Sequence, residues 1–174
     1  MTEVEWRECA DPAIILAFLR TRGSTRKFRL FACACCRQVW DLLTDWRSRH
    51  AVEVAERFAE NGTGAEKMWA VHWEATEAIW ALPSPAFRDA ARAAVDSAAY
   101  ERPGWTSPLG TPAERAWQAA INASNVLTRD RTRRSDHVAL VRCIFGNPFR
   151  TPLALPSVVL EWENDRCRRI AESL

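Results

Sequence analysis

The chain has 174 residues, of which 48% are apolar and 26% charged, and its formal net charge is +2. That length supports one domain with a real core, since a chain of about 150 residues buries roughly 70% of the surface it exposes when unfolded. The composition excludes a disordered chain, and the small net charge excludes a strong overall field toward nucleic acid or anionic membrane.

Helix signals recur from end to end, whereas alternating β-branched runs joined by Asn-Gly turns are missing. The expected fold is all-α: a single-domain bundle over residues 1–174, with about eight or nine helices around a central buried helix at about 25–44. Thr2 with Glu5 reads as a capping box, and Asp11 before Pro12 as an N-cap with proline at the first helical position. Breaks fall at 22–24, 45–47, 61–64, 83–85, 101–110, 129–134 and 146–156. Thr111-Pro112 with Glu114 repeats both start signals, and Ser135 and Ser157 are further N-cap candidates. Gly146 followed by Asn147-Pro148 reads as a helix end, because glycine takes the left-handed turn and proline prevents continuation. The long loops "YERPGWTSPLGTP" and "GNPFRTPLALP" are candidate functional surfaces.

The central helix contains "FACACCRQVW". On a helical period Phe28, Phe31, Ala32, Cys35, Val39, Leu42 and Trp46 form one apolar stripe, and Cys33, Cys36, Trp40 and Leu43 a second beside it. Arg37 and Asp41 occupy the polar edge as an i,i+4 pair, with Asp45 one turn on. The preferred reading of Cys33, Cys35 and Cys36 is small, polarisable packing residues where close helices leave no room for leucine. The rival is zinc held by Cys33 and Cys36 at i,i+3, with His72 as the leading third ligand. Cys9, His50, His137, Cys143 and Cys167 form no CxxC or HxxxH pair that would complete such a site. His72 lies among Ala65, Met68, Trp69, Thr76 and Ile79, and its preferred reading is a neutral ring bonded to a backbone carbonyl. His137, in line with Leu140, Val141 and Ile144, receives the same reading.

Nine tryptophans are mostly explained by packing. Trp105, in the Gly/Pro loop, is the first interface candidate, followed by Trp69, Trp73 and Trp80 on the His72 face. Lys27 and Lys67 are the only lysines against 22 arginines, a bias read as codon usage. Arg129, Arg131, Arg133 and Arg134 crowd one loop ahead of a helix and are candidates for phosphate or nucleic-acid contact; the alternative is a solvated loop partly neutralised by Asp130 and Asp136.

No GxxxxGK[ST], GxGxxG, HExxH or GxSxG is present, and no catalytic residue is assigned. The N-terminus lacks the basic start and cleavage site of a secretory leader, and no apolar run is long enough to span a membrane, so a cytoplasmic chain with reduced thiols is expected. The first reading is a non-catalytic helical interaction or scaffold module, with a protein partner or self-association and no cofactor. The alternatives are a nucleic-acid-associated regulator using 129–134 and a zinc-binding helical protein.

The segments "FACACCRQVWDLLTD", "RSRHAVEVAERFA" and "IFGNPFR" resemble an uncharacterised, predominantly planctomycete protein family, over most of residues 1–150. The resemblance implies a bacterial, cytoplasmic origin and brings no activity, cofactor or catalytic residue. Longer members continue past the stretch matching "SVVLEWENDRCRRIAESL" into a helical tail carrying Cys and His, so a metal site completed by that tail would be incomplete in a chain ending at Leu174.

Overall fold

The computed structural model describes residues 1–62, 65–83, 85–98, 111–128 and 134–150. Among them all regular structure is helical: α1 (Glu3–Glu8), α2 (Pro12–Leu19), α3 (Thr25–Gln38), a 3-10 turn (Trp40–Leu42), α4 (Trp46–Asn61), α5 (Ala65–Trp80), α6 (Pro85–Ser97), α7 (Pro112–Thr128) and α8 (Arg134–Phe145). The start signals work as local chemistry predicts. Thr2 and Glu5 bond each other's backbone N–H, Asp11 accepts from the Ala13 N–H at 2.9 Å, and Thr111 and Glu114 repeat the reciprocal box. Gly62 and Gly146 end α4 and α8 at φ of 63° and 71°, where a side chain would be strained. Ser135 is no N-cap: α8 begins at Arg134, and Asp136 already sits in the first turn, where its charge suits the helix dipole.

The expected helix over 25–44 is shorter. α3 stops at Gln38, where the Val39 N–H turns to the Cys36 carbonyl at 3.2 Å and the chain tightens into the 3-10 turn. Arg49 of α4 holds that turn by donating to the Leu43 and Trp40 carbonyls at 2.6 and 3.5 Å. The Arg37–Asp41 pair does not form either. Arg37 instead makes a two-pronged ion pair with Glu56 of α4 and lies over the Trp40 ring at 4.1 Å.

α3 is the central element, packed against α4, α6, α7 and α8. Its inner positions are small or flat where it meets small residues. Ala90, Ala91, Ala93 and Ala94 of α6 and Ala116, Ala119, Ala120 and Ala123 of α7 are buried, as are Ala32, Cys33, Cys35 and Cys36. Small residues on facing helices allow the closer interaxial spacings. The large residues Ile15, Leu16, Leu19, Phe28 and Phe145 of α2, α3 and α8 are buried as well, with the Phe28 and Phe145 rings 5.0 Å apart. A Cβ on Gly23 would stand 2.7 Å from Phe28 and 2.8 Å from Phe145, so the α2–α3 turn presses directly on this cluster.

Basic side chains from other helices close the C-termini of α1, α4, α6 and α8, which the codon-usage reading of the arginines does not capture. Buried Arg29 donates to the Ser97 carbonyl at 2.7 Å at the end of α6, Arg26 to Ala59 of α4 at 2.8 Å, and Lys27 to Phe145 of α8 at 3.3 Å. Arg142 bonds the Trp6, Arg7 and Cys9 carbonyls at the end of α1. The last carbonyls of a helix lack intrahelical partners and carry its negative end, so a cation there supplies both bond and charge.

Candidate functional site

Cys33, Cys35 and Cys36 are 0–1% exposed and free of disulfides. Burial raises the Cys33 thiol to about 12 and raises those of Cys35 and Cys36 as well, so all three are protonated, uncharged groups near neutral pH. The Cys33 Sγ has its polar contact with the Val52 carbonyl at 3.9 Å. Among the described residues no three His, Cys, Asp or Glu side chains stand where they would hold one metal ion. Cys33, Cys36 and His72 are therefore not brought together as a ligand set.

His72 is half-buried, with Nδ1 at 3.1 Å from the Val95 carbonyl, the backbone partner anticipated for it. For His137 the buried, neutral ring holds but the carbonyl partner does not. This ring is fully buried, its Nε2 lies 3.3 Å from the Cys35 Sγ, and its Nδ1 has no hydrogen-bond partner among the described residues. Phe31 stacks on it at 5.4 Å, its plane only 11° away. The reason is topological: α8 packs on α3 with His137 turned inward, so the partner within reach is a thiol 102 residues away. Burial lowers His137 to about 4, so the pair is a neutral thiol hydrogen-bonded to a neutral imidazole. A cysteine–histidine nucleophile needs thiolate character and an open approach. This pair has neither.

A second polar contact escaped the sequence reading. Asp96 of α6 is raised by burial and accepts from the Asn122 Nδ2 at 2.7 Å, while Gln118 donates to the Asn122 Oδ1 at 3.0 Å. The chain of bonds ties α6 to α7. The i,i+4 spacing of Gln118 and Asn122 was visible in the sequence, but their alignment with Asp96 was not.

Exposure separates the seven described tryptophans. Trp6 is buried and Trp117 donates its indole N–H to the Leu16 carbonyl at 2.9 Å. Trp73 and Trp80 are 52% and 82% exposed on one stripe of α5, with Trp69 half-buried and edge-on to Trp73 at 5.5 Å. Trp46, placed by helical period on the α3 stripe, instead opens α4 and is 65% exposed beside His50. Asp45 caps α4 through the Arg47 N–H, which turns Trp46 onto a new helix. The break at 45–47 carried that signal. α4 and α5 form an antiparallel hairpin, so Trp46 and Trp80 lie at the same end of it. Trp80 also walls a cleft of about 260 Å³ with Ile79, Pro85, Arg88, Asp89 and Arg92.

Trp105, Arg129, Arg131, Arg133 and Cys167 lie outside the described residues. Arg134 is the first residue of α8. Cys9 and Cys143 stand apart from the α3 thiols in exposure, half-buried and exposed respectively. No helix among the described residues is long and apolar enough to cross a membrane. No family profile, curated protein or solved structure matches this chain.

Proposed function

We propose that the chain is a non-catalytic helical interaction module that receives a protein partner on the α4–α5 hairpin. One observation carries this reading: Trp46, Trp73 and Trp80 are each more than half exposed. Indoles are the side chains with most to gain from cover, about 2–3 kcal/mol for each large apolar group taken out of water. Tryptophans at the centre of a protein contact are also the residues whose loss costs most binding. Beside them the cleft under Trp80 offers Arg88 and Arg92, so an apolar segment carrying carboxylates suits the surface. The buried, uncharged state of the Cys35–His137 pair supports a role other than catalysis.

The test is a double substitution, Trp73→Ser with Trp80→Ser, used as bait in cell extract beside the native chain. A partner held by the native chain and lost about 30-fold or more by the variant supports the reading, since hot-spot truncations cost about 2 kcal/mol or more. Its melting midpoint should stay close to the native one, because exposed substitutions move stability by about 0.5 kcal/mol or less. Identical capture by both proteins, or a variant that unfolds, overturns it.

A further inference from the structure

On the face formed by α1 and the end of α8 lies a cleft of about 310 Å³, lined by Trp6, Arg7, Arg142, Gly146, Asn147 and Arg150. Arg142 is its fixed cation. Its Nε and Nη2 are bound to the Trp6, Arg7 and Cys9 carbonyls at 2.7–3.2 Å. Its Nη1 has no acceptor among the described residues and is not fully buried, which leaves its two N–H groups open to a ligand. Arg142 and Arg150 make no ion pair among the described residues. Glu3 at the edge is already shared, its Oε1 accepting from Arg7 at 3.0 Å and Asn147 at 2.9 Å.

Two helix C-termini meet here, and their bare carbonyls would repel an anion. They are covered: Arg142 holds those of α1, Lys27 donates to Phe145, and the Gly146 N–H bonds the Arg142 carbonyl at 2.9 Å. Three guanidiniums against one carboxylate leave two positive charges, matching a phosphate dianion. A tetrahedral oxyanion can also give each of three donors an oxygen of its own, where a carboxylate has only two.

We propose that this cleft binds a phosphate group, as free phosphate or a small soluble phosphomonoester, between the Arg142 Nη1 and the Arg7 and Arg150 guanidiniums. The site is separate from the tryptophan surface and does not depend on it.

The full chain is titrated calorimetrically with inorganic phosphate at low ionic strength, where exposed cations are least screened. One equivalent should bind with a Kd below about 1 mM, and acetate about tenfold more weakly. Arg7→Ala and Arg150→Ala should each weaken binding about tenfold, and the double variant should abolish it, since a hydrogen bond to a charged group is worth about that factor. Both side chains are exposed, so melting without phosphate should not move. Binding only above about 10 mM, or binding unchanged in the double variant, would mean an adventitious ion only and overturn the site. Association with phosphatidylcholine vesicles that requires added phosphatidic acid, without binding of free phosphate, would mark a membrane contact and overturn it equally.

Discussion

His137 is the residue where burial has the clearest consequence in solution. Folded, it titrates at about 4, against an ordinary value of 6.5. Between those values the unfolded chain takes up a proton that the folded chain refuses, so stability falls as pH drops from about 6.5 to about 4 and is fully present above that window. The shift corresponds to about 3 kcal/mol. His137→Leu should remove this part of the acid loss, leaving that of carboxylates held low by partners, such as Asp45 beside Arg47. At pH 7 the substitution forfeits one thiol–imidazole bond, worth about 1 kcal/mol, and removes an unbonded buried nitrogen, so the two proteins should have similar urea midpoints there. Midpoints measured at pH 7 and pH 4.5 check it, and equal losses in both proteins would show that His137 is charged when folded.

At the scale of elements, the C-termini of α1, α4, α6 and α8 take basic side chains brought from other helices. Arg29 is the deepest: it is 6% exposed, bonds the last residue of α6 and lies over the Phe58 ring at 5.2 Å. Arg29→Ala should cost about 3 kcal/mol, from an unbonded carbonyl at a helix end and lost stem packing. Arg29→Lys should recover only part, since an ammonium cannot spread over the ring while bonding the carbonyl. By contrast Arg37→Ala should cost about 1 kcal/mol or less, its pair being substantially exposed. Urea midpoints of the three variants check the order. These partnerships explain what the sequence could and could not disclose. Starts were legible because Thr2, Asp11 and Thr111 cap groups within three residues, and the α8 stop because Gly146 acts on its own turn. The end of α3 was not, because Arg37 turns to a glutamate 19 residues away and Arg49 fixes the 3-10 turn from the next helix. Likewise the period assigned Trp46 to the wrong helix, and nothing near His137 in sequence names Cys35.

For the molecule as a whole, the question set by three cysteines in four positions turns on what the fold requires. α3 passes between helices whose inner faces are largely alanine, and a thiol fills slightly more than a methyl group without forcing them apart. If zinc held Cys33 and Cys36, both would be thiolates, and folding would depend on the ion. The geometry instead leaves them buried and protonated, with burial as the first cause of each raised value. Chelator treatment should therefore leave the melting midpoint unchanged, with no stoichiometric zinc by elemental analysis. Native labelling by a thiol reagent, read by peptide mapping, should mark exposed Cys143 first and reach Cys33, Cys35 and Cys36 only after denaturant is added. Cys35→Ala should cost about 1 kcal/mol and Cys35→Leu more, since the added carbons meet His137 and Phe31 rather than a void. One equivalent of zinc, lost together with the helical signal on chelation, would place the thiols in a metal site and refute their role as packing.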